Sequence, residues 1–274
     1  MMLKQLPPAV TYLVKDNGKV RVHTLVSSAP FFANATHIIE LPTQLILIDG
    51  HFFAQYGYEF RQLADSLNKP ITRFYVTHAH PDHYLGMGDA FADVIVYALE
   101  EITKLILQAG PHELKEKQQH FGNLIATHLT YPSQIVEPGE EEIDGVRFIF
   151  EKAIDTESPE TLVIKLPDLR IAIVQDILYH NSHAFITRPV AGWKAALQEL
   201  RDDTAYDTIL AGHGTPADKA DIDNAILYLD KVGEILSHVN DAIEYKQQLL
   251  AAYPNYAAAK LIDIYLPILF ANKV

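Results

Sequence analysis

Residues 73–83 read Arg-Phe-Tyr-Val-Thr-His-Ala-His-Pro-Asp-His, an apolar run that ends in three histidines and a carboxylate. The β-branched and aromatic residues before the histidines read as a buried strand, Ile71 to Thr77, that delivers Thr77 to the cluster. His78 and His80 are two positions apart, so on an extended backbone their imidazoles lie on the same side. Pro81 then turns the chain and brings Asp82 and His83 round beside them. Four donors of imidazole and carboxylate type at one strand end suit zinc, iron or manganese.

Composition narrows what such a centre is made of. The 274 residues contain no cysteine, which excludes disulfides, thiol nucleophiles and thiolate metal sites, so ligands must come from histidine and carboxylate. The formal charge is −13 without a cluster of Lys and Arg, which counts against nucleic acid as partner or substrate. No apolar stretch approaches the roughly 20 residues of a membrane helix, so no membrane association is expected. The N-terminal stretch lacks the apolar core of a signal peptide, and a cytoplasmic location is expected.

Two blocks of strands follow one another. Asp16-Asn17-Gly18 separates two alternating runs as a hairpin turn, and "THIIEL" and "QLILIDG" continue the first block. Helices are expected over 54–68 and across 99–121, with a short strand at 94–98 between them. The second block holds "VRFIFEKAI", "TLVIKL" and "RIAIVQD", then a helix over 192–201 and the strand "DTILAG". From Asp218 onward, Ile222, Ile226, Leu229, Val232, Leu236, Val239 and Ile243 recur every three or four positions, an amphipathic helix. Two strand blocks with helices after each predict two packed sheets with helices outside. One domain is expected over residues 1–217, with a helical extension over 218–274 packed on it or on a second copy in a homodimer.

With these donors and strands in hand, the chain resembles the metallo-beta-lactamase superfamily, whose motif is His-x-His-x-Asp-His. The resemblance runs in order over most of residues 10–215. Asp49 in "LILIDG" is similar to the family's aspartate at a strand end, Asp176 closes "RIAIVQD" where members commonly read Gly-Asp, and His213 lies in "LAGHG" like the late Gly-His-Gly. The fold implied is an αββα four-layer sandwich with a binuclear metal site at one end of the sheets. The resemblance departs at one ligand. Members commonly carry a third histidine ahead of an apolar strand, whereas this chain reads "AIDTESPETLVIKL" there. Alignment on the common "HSPGSL" places Glu157 at the histidine's position, and the stretch is similar to a segment of the zinc alkylsulfatase branch in which a glutamate is a ligand. Asp155, two residues away, is the alternative.

The resemblance therefore implies that His78, His80 and Glu157 hold a first metal, that Asp82, His83 and His213 hold a second, and that Asp176 bridges them. It implies two divalent ions, zinc above all. Glu157 removes a unit of positive charge from the site and is a harder donor than imidazole, so iron or manganese also suits the first position. The activity implied is hydrolysis by a metal-bridging hydroxide, with Asp82 or Asp176 orienting the nucleophile or carrying its proton, on a small ester, thioester, lactone or sulfate ester. An iron-dependent oxidoreductase of the flavodiiron or persulfide dioxygenase type, or a non-catalytic metal-binding relative, are the alternatives. Substrate-pocket candidates are Phe31 and Phe32 in an apolar lip, His51 after the first strand block, Tyr84 after the motif, and His180 and His183 after Asp176. His23, His37, His112, His120, His128 and His238 lack motif context and read as ordinary surface or core residues.

Overall fold

The computed structural model of the protein describes residues 5–271; residues 1–4 and 272–274, the outer ends of the expected domain and its helical extension, lie outside the described residues. The chain opens with β1 (Val10–Asp16) and β2 (Arg21–Val26), paired antiparallel across the expected turn. Gly18 sits there at φ 81 and its N–H donates to Asp16 Oδ1 at 2.8 Å, a left-handed position suited to glycine. Next come β3 (Ala35–Glu40), β4 (Leu45–Ile48), α1 (Ala54–Ser66) and β5 (Ile71–Tyr75). The strand β4 reads Leu-Ile-Leu-Ile and is buried throughout, as a strand covered on both faces must be. After β5 follow the short α2 (Pro81–Tyr84), β6 (Val96–Ala98), α3 (Glu100–Phe121) and β7 (Gln134–Ile135). The expected helices over 99–121 are one helix, with Pro111 inside it. These seven strands form one sheet in the order β1-β2-β3-β4-β5-β6-β7.

The second sheet has the order β12-β11-β10-β9-β8 and is built from β8 (Gly139–Ile143), β9 (Val146–Ile154), β10 (Glu160–Leu166), β11 (Ile171–Tyr179) and, after α4 (Val190–Asp202), β12 (Thr208–His213). Its fully buried strand, β11, runs three residues beyond Asp176 rather than stopping there. The sheets face one another: Tyr75 of β5 meets Phe150 of β9 at 5.2 Å between rings, and Leu162 N–H donates to Thr77 O at 2.8 Å. Outside, Phe60 of α1 packs on Phe74 of β5, and Trp193 of α4 donates to Ile177 O of β11 at 2.7 Å. This is the αββα sandwich.

Three helices follow: α5 (Lys219–His238), α6 (Ala242–Ala252) and α7 (Lys260–Leu269). Asp218 caps α5, with its side chain accepting from Ala220 N–H while Asp221 reaches back to the Asp218 N–H. The expected apolar stripe is cut at Val239, which ends α5 in an extended conformation, and Ile243 in α6 is 67% exposed. The turn before α7 pairs with the chain after β11, His183 N–H donating to Ala257 O at 2.9 Å, and Tyr265 of α7 meets Phe185 edge-on. No helix among the described residues is long and apolar enough to cross a membrane.

Candidate metal centre and its cleft

The histidine motif lies where β5 gives way to α2. His80 is the extended N-cap and Pro81 the first helical residue, so one tight turn carries Asp82 and His83 back toward His78. The second sheet supplies the rest: Glu157 from the turn between β9 and β10, Asp176 from β11 and His213 from the end of β12. One donor from each of His78, His80, Glu157 and Asp176 lies within 4.8 Å of the others, and so do donors of Asp82, His83 and His213. Asp176 touches both groups: Oδ1 is 3.1 Å from His83 Nε2, and Oδ2 is 3.3 Å from His213 Nε2 and 3.6 Å from His78 Nε2. All seven residues proposed from the motif resemblance thus meet at one place. Asp155 does not; it is 75% exposed and pairs with Arg188, whereas Glu157 is buried with Oε2 3.2 Å from His80 Nδ1.

The donors fit divalent ions by the test of hydrogen-bond satisfaction. Eight buried side-chain atoms among the described residues lack a partner, and six of them belong here: His78 Nε2, His83 Nε2, both Glu157 oxygens, Asp176 Oδ1 and His213 Nε2. Buried polar atoms are nearly always satisfied, so six orphans converging on one point describe a place for cations. Their outer nitrogens are engaged. His83 Nδ1 donates to Asp49 Oδ2 at 2.8 Å, and His213 Nδ1 to Phe32 O at 2.8 Å. Such bonds fix the tautomer and aim Nε2 inward. Asp49 also lies near His78 and His83, but its oxygens already accept from Thr77 N–H, Thr77 Oγ1, His83 and Gln175, which makes it a support rather than a ligand.

Electrostatics say the same. Burial opposes charge on His80 and His213, yet Glu157 beside the first and Asp176 beside the second push them up to about 9 and about 10. Burial would raise Asp176, but His83, His213 and His78 hold it well below the usual carboxylate range. Protons on these imidazoles occupy the role that metal ions take over, so metal uptake displaces protons. The backbone of β12 makes room for the Asp176 carboxylate: a Cβ on Gly212 would stand 1.9 Å from Asp176 Oδ1. Gly212→Ala should therefore displace Asp176 and lower the metal content of the protein, which metal analysis would read. Full metal content in that variant would contradict the geometry.

Above the cluster opens a cleft of about 440 Å³ with Asp82, Asp176 and His213 in its floor. Phe52, Phe121 and Phe185 line one part of its wall, and Leu261, Ile264 and Ile268 of α7 another; Glu113, Lys117 and His120 of α3 add a polar side. Of the six pocket candidates from sequence, only Phe32 lines it. Phe31 turns aside onto Phe53 and beneath Lys260. His51 is buried behind the site between Thr36 Oγ1 and Asn34 Oδ1, and burial pushes it down to about 3. Tyr84 is buried and donates to Glu113 instead of facing the cleft. His180 faces Thr215 O and Asp221, and His183 packs on Tyr228, because β11 runs on to Tyr179 and carries them past the site.

Sequence reasoning missed several contributors. Tyr179 donates to Asp176 Oδ2 at 2.5 Å and stacks on His213 with ring centroids 4.6 Å apart. Its signal was its place three residues after Asp176, concealed by the assumption that the strand ended there. His120 lines the cleft, and the wall from α7 depends on a chain return that no local pattern reveals.

Comparison with known proteins agrees with this architecture. Residues 29–213 match the family model described as the metallo-beta-lactamase superfamily. An alkyl/aryl-sulfatase of Saccharomyces cerevisiae is 28% identical over 188 residues, 56% of this chain and 29% of that protein. A linear primary-alkylsulfatase of Pseudomonas sp. is 26% identical over 251 residues, 76% of this chain and 45% of that protein. The chain thus spans less than half the length of these two relatives. Among solved structures, a metallo-beta-lactamase from Pontibacter korlensis superposes with TM-score 0.63 at 17% identity, over 81% of this chain and 99% of that one. One from Hirschia baltica gives 0.58 at 20% identity, over 81% and 97%; both speak to the fold.

Proposed function

The chain belongs to the metallo-beta-lactamase superfamily, and from that premise we propose that it is a binuclear metal-dependent hydrolase of a small ester with an apolar portion. The observation that carries the reading is the convergence of six orphaned buried donor atoms beneath a cleft with an apolar wall. His78, His80 and Glu157 would hold one ion, Asp82, His83 and His213 the other, with Asp176 between them. When bound, divalent ions supply Lewis acidity to the ester oxygen and lower the pKa of water toward about 7.

The chain's own groups do the rest. Asp49 and the Phe32 carbonyl hold the rings of His83 and His213 in register, and Tyr179 fixes Asp176. In the floor of the cleft Asp82 keeps 17% of its side chain open against 2% for Asp176, which favours it as the carboxylate that orients the attacking water and passes its proton outward. Water adds to the ester centre, the bond to the alcohol oxygen breaks, and the leaving alcohol takes up a proton. Phe52, Phe185 and the α7 face receive the apolar part.

Sulfate esters merit a separate reading, because the stretch around Glu157 resembles a segment of the alkylsulfatase branch in which a glutamate is a ligand, and an alkyl/aryl-sulfatase and a linear primary-alkylsulfatase are among the relatives. The test is metal analysis followed by carboxylic ester, lactone, thioester and alkyl sulfate series of increasing chain length. Rising kcat/KM with chain length is expected, and Ile268→Asp should lower it by about 10-fold for long chains while sparing the shortest. Release of inorganic sulfate separates the two ester classes. No turnover of any series by protein loaded with zinc, manganese or iron would remove the hydrolase reading.

A further inference from the structure

A chain of buried side chains leads away from the cluster and through the sandwich. His83 Nδ1 bonds to Asp49 Oδ2, Gln175 Nε2 donates to that same oxygen, and His37 Nε2 stands 2.8 Å from Gln175 Oε1. Thr24 Oγ1 closes the series 2.9 Å from His37 Nδ1. Asp49 lies just past β4 in the first sheet and Gln175 in β11 of the second, so this series ties the two sheets together directly behind His83.

Bond directions follow from the carboxylate. Ionised Asp49 only accepts, so Gln175 must turn its amide N–H₂ toward it and its oxygen toward His37. His37 must then carry its proton on Nε2, leaving Nδ1 to accept from the Thr24 hydroxyl. Burial lowers His37 to about 4, which keeps the ring neutral as this arrangement requires. The backbone supplies an independent sign. Gln175 sits at φ 45, a left-handed conformation that disfavours every residue with a side chain, and the pairing of β11 with β12 shifts register there. Glycine would adopt that backbone without strain. Glutamine is unfavourable there unless its side chain contributes, and what it contacts is Asp49 and His37.

We propose that Gln175 and His37 are positioning residues of the metal centre, which hold Asp49, and through it the His83 ring, aimed at the ion before it arrives. The inference rests on the reading of His83 as a ligand. It assigns His37, which carries no motif signal, to the site from a distance.

Two measurements on the full chain test it. Competition with a chelator for zinc should show affinity weakened roughly 10- to 100-fold in Gln175→Met and His37→Leu, the range for outer partners of metal-binding histidines. His37→Gln, which restores a donor at the position of Nε2, should recover most of the loss, whereas a merely space-filling role would not discriminate it from leucine. Wild-type affinity in Gln175→Met overturns the proposal. His83→Ala, measured alongside, separates the two levels: retention of both ions there removes the ligand reading and the positioning role with it, whereas loss there with none in Gln175→Met removes the positioning role alone. The second measurement needs no substitution. Nitrogen-15 spectra of the histidine rings in the unaltered protein should find His37 protonated on Nε2 and slow to exchange, and a proton on Nδ1 would reverse the series and sink the proposal.

Discussion

Asp176→Ala is expected to abolish hydrolysis, by roughly 10³-fold or more in kcat/KM, and to reduce bound metal at both positions. Metal polarisation supplies several kcal/mol of a hydrolytic barrier, and each 1.4 kcal/mol is about tenfold in rate. Asp176 is the residue whose oxygens face both groups of donors, 3.1 Å from His83, 3.3 Å from His213 and 3.6 Å from His78. Without its charge four neighbouring imidazoles face one another with only Asp82 and Glu157 to balance an ion. Tyr179→Phe is the graded comparison: it removes one hydrogen bond to Asp176 and leaves the ring stacked on His213, so a loss nearer 10-fold is expected. Metal analysis and steady-state kinetics on the same preparations decide it. An Asp176→Ala protein that retained two ions and its activity would show that the donors form two independent sites.

The parts of this molecule that were legible in its sequence are those written in local pattern. The strand leading to Thr77, the turn at Pro81 and the unbroken apolar run of β4 follow from local sequence alone, and the positions of Asp176 and His213 from their resemblance to ordered motifs. What was not legible depends on chain return. Phe52, Phe121 and Ile268 are far apart in sequence, and no periodicity announces that they share a wall. Tyr84 and His51 were read toward the cleft because they adjoin its loops, yet burial and bonds to Glu113, Thr36 and Asn34 turn them inward. The apolar period through Val239 and Ile243 suggests one helix, but periodicity does not report that Val239 turns extended and that Asp241, accepting from Glu244 N–H, caps a new helix. His37 had no neighbouring motif; its relation to the site passes through Gln175, 138 residues away.

Glu157 gives the other large effect, because its carboxylate is buried, unpaired by any hydrogen bond, and turned to His80. Leaving such a group without a cation costs several kcal/mol, so an ion at this position and the placement of Glu157 stabilise one another. Glu157→Ala should empty the first position while leaving the second occupied, and lower kcat/KM by roughly 10²- to 10³-fold. Glu157→Gln keeps the shape and one neutral oxygen donor, so partial occupancy with weakened affinity is expected. Glu157→His restores the ligand type common in the resembling family and should raise zinc occupancy relative to manganese or iron, since imidazole is the softer donor. Asp155→Ala is the control. That side chain faces solvent beside Arg188, and its loss should leave metal content unchanged. Metal analysis after equilibration with mixed ions reads all four variants at once. If Asp155→Ala strips the first ion and Glu157→Ala does not, the ligand is two residues earlier than the geometry places it; if neither matters, the first position has no third protein ligand and hydrolysis through two ions must be given up.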